Sequence, residues 1–277
     1  MIPTRRSAHC FHGEKIWYED GWQEALEETG IAVSDNWARL CPGEFISGGS
    51  PITNCYRVEL SNGEAVYFKR YVYDLPRLQF WMMPSKAAVE IFSYDYMRRH
   101  GMEVPDVVAY GEQRHRGTLF AAFIVTKEIS ETINLLQFAR DQWFAMKEPE
   151  RSVTYDQISQ RICTQVRDMH AAGFVHHDLK WKNILLRHDS DGWQPIWIDS
   201  PRGAHVRLRK RRSIIIELGR LGRLAGNYLS TKQQLRWLHD YLGERASKKE
   251  VKRLYYEVKD YLDRRRPPHD YELPNKN

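Results

Sequence analysis

No apolar run in this 277-residue chain reaches the roughly 20 residues that a membrane-crossing helix needs. The opening stretch MIPTRRSAHCFHGEKIWYEDGW carries charge but has no apolar segment behind it, so it does not read as a secretory signal. Cysteine is scarce, with Cys10, Cys41, Cys55 and Cys163 scattered and no C-x-x-C pair. That excludes a zinc ribbon and a dithiol redox motif and fits a reducing, cytosolic compartment. No internal repeat or low-complexity tract is visible, which excludes a solenoid. Zinc-finger spacing is also missing, and no nucleic-acid partner is expected.

What is present describes a soluble globular protein. Hydrophobic residues make up 42% and aromatics 12% of the chain, enough for a sizeable core in one large domain or two lobes. A net charge of +6 and a pI near 9.0 fit an acidic partner, whether nucleic acid, nucleotide, anionic lipid or acidic glycan, and do not choose among them.

Residues 1–42 are polar and aromatic, with a short helix around WQEALEET, and read as an extension packed on the next domain. Three strands follow, EFIS, CYRVEL and AVYFKRYVY. Asn62-Gly63 makes a hairpin turn between the last two, and SGGSPITN is a glycine-containing turn between the first two. PSKAAVEIFSYDYMRRHG is a helix capped by Ser85 and closed by Gly101, with Val89, Phe92 and Tyr96 on one face. FAAFIVTKEI has the apolar character of a buried strand. TYDQISQRICTQVRDMHAAG is a long helix with Ile158, Ile162, Val166 and Met169 on its buried face, ending at Gly173. Two short strands, NILLR and PIWID, come next, and the remainder is helical. SKKEVKRLYYEVKDYL carries a capping box from Ser247 to Glu250 and an apolar stripe at Val251, Leu254, Tyr255, Val258 and Leu262. The tail RRRPPHDYELPNKN reads as frayed.

Between the long helix and the strand pair lies VHHDLKWKNILL. His176, Asp178-Leu179 and Asn183 reproduce the spacing of a phosphoryl-transfer catalytic loop. Such chemistry asks for positioned phosphates, metal ions and an oriented nucleophile, and each part has a candidate in the expected order. Lys69 on the third strand would hold nucleotide phosphates, and Glu90 on the following helix would pair with it. Asp178 is the catalytic carboxylate, Asn183 and Asp199 are hard-oxygen ligands suited to Mg²⁺, and Lys180 would help neutralise the transferred phosphoryl group. Gly48 and Gly49 offer backbone amides to the nucleotide phosphates, although G-x-G-x-x-G is absent. His176 reads as structural, and Trp181 and Lys182 as surface or substrate-side residues. His177 replaces an arginine, and a neutral imidazole supplies no permanent charge to a phosphorylated activation loop.

On FKRY, SKAAVEIFSYDYMRRHGMEVPDVVAYG, FIVTKEI, HAAGFVHHDLKWKNILL and IWIDSPRG, the chain resembles the bacterial lipopolysaccharide kinase (Kdo/WaaP, InaA-like) family of the protein-kinase-like superfamily. The resemblance covers roughly residues 43–240. It implies a two-lobed α+β kinase fold: an N-lobe over 43–127, with a small antiparallel sheet and one key helix, and a mainly helical C-lobe over 128–277. It further implies ATP and Mg²⁺ as cofactors, and as acceptor a heptose or Kdo hydroxyl of the lipopolysaccharide inner core, an anionic glycolipid. The location implied is cytoplasmic, peripheral at the inner face of the inner membrane. The chain departs from protein kinases after Asp199, where Ser200-Pro201 stands in place of Phe-Gly and no A-P-E follows. The short basic segment SPRGAHVRLRKRR, with Arg202, Arg207, Arg209, Lys210, Arg211 and Arg212, suits an anionic acceptor or a membrane surface. Two other readings compete. An aminoglycoside- or choline-type phosphotransferase would call for a more acidic C-lobe, and a stress-associated pseudokinase would not need Lys69, Glu90, Asp178, Asn183 and Asp199 together.

Overall fold

Alternation along the strands decides which side chains meet. In β4 (Ala65–Val72), Val66, Phe68 and Arg70 point to one face and Tyr67, Lys69 and Tyr71 to the other, because successive side chains of a strand leave opposite faces. The structure is a computed structural model that describes residues 10–31, 33–34, 36–50, 52–73, 80–208 and 210–265. The tail expected to fray, from 266 onward, lies outside the described residues, as does Arg209.

The first compact unit comprises Met1–Arg99 and Val104–Ser130. Its centre is a six-stranded sheet in the order β1-β5-β6-β4-β3-β2, antiparallel throughout. The strands are β1 (Gly13–Tyr18), β2 (Glu44–Ser50), β3 (Thr53–Glu59), β4, β5 (Val107–His115) and β6 (Thr118–Lys127). Gly63, at φ +81°, turns the chain between β3 and β4, a backbone conformation glycine adopts without steric cost. Residues 10–42 contribute β1 and α1 (Gln23–Glu28). Leu26, Ile31 and Trp37 from this region pack with Val66, Phe68, Phe123 and Val125 in one core. The Trp37 and Phe123 rings meet edge-on at 4.8 Å. Neither β1 nor β5 was evident in the sequence: β1 opens on Gly-Glu-Lys, and β5 follows closely on the Val-Pro segment that leaves the second helix.

On that helix, α2 (Lys86–Arg99), the Ser85 hydroxyl accepts the Ala88 N–H at 3.1 Å, as its capping role requires. The expected buried face is displaced. Val89, Phe92 and Tyr96 are half-buried, while Ala87, Glu90, Ile91, Tyr94 and Met97 are buried. The buried face carries a carboxylate, so apolar periodicity alone pointed to the wrong stripe.

The second unit comprises His100–Glu103 and Glu131–Asn277. Its helices are α3 (Leu135–Asp141), α4 (Glu150–Ala171), α5 (Lys210–Gly222), α6 (Ala225–Tyr228), α7 (Thr231–Leu242) and α8 (Lys248–Asp263). Ile158, Ile162, Val166 and Met169 form the buried face of α4, which packs on α7, while α5 and α7 pack on α8. Both hydrogen bonds of the Ser247–Glu250 capping box are made, and α7 has a second box from Ser230 to Gln233. Of the α8 stripe, Val251 and Leu254 are buried, and Tyr255, Val258 and Leu262 are half-buried. The strands are β7 (Thr132–Asn134), β8 (Phe174–Val175), β9 (Ile184–Asp189), β10 (Gly192–Trp197) and β11 (Ala204–His205). They form a three-stranded sheet, β10-β9-β7, and a two-stranded one, β11-β8.

Gly111 of β5 sits directly across from Phe123 of β6, and a Cβ there would overlap the Phe123 ring. Gly111→Ala is expected to cost about 1–3 kcal/mol through overpacking, read as a lowered Tm. Adding Phe123→Leu should restore part of that loss, and a double variant no more stable than the single one would show that the ring is not the obstacle.

Candidate active site

In the first unit, Lys69 leaves β4 on the face covered by α2, and its Nζ donates to both carboxylate oxygens of Glu90 at 3.1 Å. The Tyr71 hydroxyl donates to Glu90 Oε2 and the Tyr94 hydroxyl to Oε1, each at 2.7 Å. Glu90 is 2% exposed. A carboxylate so far from water is tolerated only when its lone pairs are filled and a cation stands beside it, and both conditions hold. The tyrosines are partners that strand and helix periodicity could not single out.

Gly48 and Gly49 lie inside β2 rather than in a turn beyond it. The β2–β3 register slips between Phe45 and Ser47 and again between Ser47 and Ser50. A Cβ at Gly48 would stand 3.3 Å from the Phe45 ring and 3.5 Å from Asn54 Oδ1, so glycine keeps that stretch of backbone uncovered.

In the second unit, the loop between β8 and β9 is wound so that groups distant in the chain meet. His176 is fully buried, and its Nδ1 accepts the Asp178 N–H at 3.3 Å. His177 adopts φ +64° and Asp199 φ +60°, a left-handed conformation that is uncommon for residues with a Cβ and often found at functional sites. A 3-10 turn over Trp181–Asn183 brings the Asn183 amide back. Its Nδ2 lies 2.9 Å from the Asp178 carbonyl oxygen, 3.2 Å from Asp178 Oδ2 and 3.3 Å from Asp199 Oδ2. Lys180 Nζ is 2.9 Å from Asp178 Oδ2. Asp178, Asn183, Asp199 and Lys180 therefore form one cluster.

The donor set fits a hard divalent cation. The Asp178 and Asp199 carboxylates and the Asn183 side chain converge, and their oxygens are of the hard type that a cation such as Mg²⁺ takes alongside phosphate and water.

The support for this loop was not visible in the sequence. Glu217 of α5 is completely buried and accepts the backbone N–H groups of His176 at 3.0 Å and His177 at 2.5 Å. Its Oε1 also lies 3.0 Å from His170 Nε2, whose Nδ1 is 2.9 Å from the Tyr241 hydroxyl. Arg220 donates to the His177 carbonyl, and the Ser200 hydroxyl donates to that of His176 at 3.2 Å. Trp181, expected at the surface or on the substrate side, is not at the surface: it is buried, and its Nε1 donates to the Leu221 carbonyl at 2.8 Å; Lys182 is exposed. The sequence signal was there in principle, as a lone carboxylate inside the apolar run IIIELGRL.

Burial alone would push Glu217 up. The hydrogen bond from His170, the nearby imidazoles and the His176 N–H outweigh it and hold the carboxyl below its ordinary value. Burial lowers His176 despite the Glu217 charge. Burial also lowers His177, where Glu217 opposes the shift and Arg220 adds to it.

In the basic segment, Lys210 donates to the Ala171 carbonyl and Arg211 Nη2 donates to both carboxylate oxygens of Glu257. Arg202, Arg207 and Arg212 are exposed.

The model of the lipopolysaccharide kinase (Kdo/WaaP) family matches residues 52–242. The lipopolysaccharide core heptose(I) kinase WaaP of Escherichia coli is 34% identical over 90 residues, 32% of this chain and 33% of that protein, so the match spans about a third of the relative's length. A solved structure of WaaP in complex with acyl carrier protein aligns with a TM-score of 0.67 and 21% identity, covering 90% of this chain and 97% of that one. At that identity the likeness shows the fold, which is the α+β arrangement expected from the sequence.

Because the folded Glu217 carboxyl sits below its ordinary value, the unfolded chain takes up that proton first as pH falls. Its contribution is complete above about pH 4.3 and is lost as pH drops through the lower folded value. Urea melts across this range should show a wild-type acid limb that Glu217→Gln flattens, together with a lower neutral plateau. Glu217→Ala should cost about 3–5 kcal/mol. An unchanged plateau and slope would show that this carboxylate does not anchor the loop.

Proposed function

The chain belongs to the lipopolysaccharide kinase (Kdo/WaaP) family, and from that premise we propose that it is an ATP-dependent kinase for a heptose or Kdo hydroxyl of the lipopolysaccharide inner core. The observation that carries this reading is the Asn183 amide drawing the Asp178 and Asp199 carboxylates together. The buried Lys69–Glu90 pair supports it from the other unit.

In this reading Lys69, held by Glu90, binds the nucleotide phosphates as a fixed point charge. Asn183 and Asp199 hold Mg²⁺, which when bound neutralises charge on the phosphates. Asp178 orients the acceptor hydroxyl and takes its proton. The acceptor oxygen bonds to the γ-phosphorus while the bond to the β–γ bridging oxygen breaks, and ADP leaves. Lys180 stabilises the equatorial oxygens of the group in transit. Exposed Arg202, Arg207 and Arg212 favour a phosphorylated or carboxylated core sugar over the cationic substrates of aminoglycoside-type enzymes. No described helix is long and apolar enough to cross a membrane, and the location proposed is peripheral, at the cytoplasmic face of the inner membrane.

An acyl carrier protein is proposed as a partner as well. The WaaP structure is a complex with one. The second unit here contains an apolar cavity of about 300 Å³ among Leu135, Phe138, Trp143, Ile158, Leu218 and Leu238, of a character to receive an acyl chain.

The test is ³¹P NMR and mass analysis of lipopolysaccharide from cells lacking the gene, complemented with wild type or Asp178→Ala. A core phosphate restored by wild type alone is expected. In vitro, Asp178→Asn should lower kcat by about 10²–10⁴-fold while Mg-ATP binding persists, and Lys69→Met should weaken ATP binding. A core unchanged by loss of the gene would count against the assignment.

A further inference from the structure

At one end of the six-stranded sheet, three chain segments meet in an apolar tip that the kinase reading does not use. Phe11, Trp81, Met82 and Met83 are 53–60% exposed. They converge on Gly117 in the β5–β6 turn, whose N–H donates to the Phe11 carbonyl at 2.6 Å and whose carbonyl accepts the Met82 N–H at 3.0 Å. Gly117 has φ +81°, and a Cβ there would lie 2.8 Å from Trp81 Nε1 and 3.2 Å from Met82 Sδ. Trp81 bridges to Thr118 and donates through Nε1 to the Arg116 carbonyl at 3.1 Å. The backbone is therefore tied down while the side chains face solvent.

A buried ion pair maintains this arrangement. Arg114 and Glu112 are 1% and 0% exposed and 2.6 Å apart. Arg114 also donates to the carbonyls of Gly117 at 2.9 Å and Met83 at 2.5 Å. A pair so deeply buried gives little net stability, but it does fix the position of an exposed strip of large apolar side chains. Contiguous patches of that kind mark interaction surfaces.

The surroundings indicate the occupant. Residues 10–12, 80–85 and 115–118 contain the exposed Arg116 and no Asp or Glu. A tryptophan flanked by methionines and an arginine is suited to the lipid–water interface, where its ring is buried and the guanidinium meets anionic headgroups. A second copy of the chain fits less well, since a two-fold contact would place both Arg116 side chains in one interface with no carboxylate from these segments to meet them.

We propose that this tip is a membrane-docking surface, with Phe11, Trp81, Met82 and Met83 entering the interface of an anionic phospholipid bilayer and Arg116 against its headgroups. It deepens the kinase reading, on which it rests for the presence of the acceptor in a membrane. The test is flotation of the full chain with vesicles of phosphatidylethanolamine and phosphatidylglycerol, with thermal melts and Mg-ATP binding as fold controls. Wild type should float. Trp81→Ser with Met83→Ser should reduce partitioning by about tenfold or more. Arg116→Glu should weaken binding to these vesicles and leave any binding to phosphatidylcholine alone unchanged. The double variant should phosphorylate a deacylated core oligosaccharide as wild type does, yet lose activity on glycolipid embedded in vesicles. Wild type remaining unbound, a variant floating equally well, or a wild-type dimer that the same substitutions dissociate would overturn the proposal. If wild type phosphorylates neither acceptor, the kinase reading fails, and flotation still decides the docking surface.

Discussion

A single carboxylate taken out of water organises the second unit. Glu217 receives the N–H groups of two consecutive residues, His176 and His177. Consecutive amides can point at one acceptor only if the backbone bends sharply, and His177 accordingly sits at positive φ. Asp178 follows immediately, so its direction is set by that bend. The desolvation penalty of such a group is several kcal/mol, and it is offset by the His170 ring from α4 as well as the loop amides. The low local dielectric that makes the charge costly also strengthens each bond it makes. The loop is held in place by the same interactions that make Glu217 tolerable.

Glu90 stands in an analogous position in the first unit. It is buried, contacted by Lys69 and by the hydroxyls of Tyr71 and Tyr94, and it fixes a cation in place of a backbone. In both units a buried acid orients a group that the proposed chemistry needs. Truncating either acid would leave the groups around it desolvated and unpaired, a larger loss than the attraction of a surface pair.

Surface chemistry is arranged differently in the two units. The first gathers apolar side chains at Gly117 above the buried Glu112–Arg114 pair. The second presents exposed arginines along the segment that leads into α5, two of whose cations are already engaged by the fold. Neither arrangement adds to core stability in an obvious way, and both suit a partner that combines negative charge with an apolar layer.

Features governed by near neighbours in the chain were legible in the sequence. The Asn-Gly hairpin, the Ser85 and Ser247 caps and the four-residue stepping of α4 depend on hydrogen bonds and periodicities a few residues long. The spacing of Asp178, Asn183 and Asp199 was equally readable, because the loop and strand pair that join them are short. The Lys69–Glu90 pair was inferred from element order alone. Contacts between residues far apart in sequence were not legible. Glu217 and Tyr71 read as ordinary helix and strand residues, and β1 read as part of an extension. The sequence by itself determined which chemistry-bearing residues are present and which local elements carry them. Only the tertiary structure decided which buried acids support them, because a buried charge is identified by the partners packed around it, and those come from across the fold.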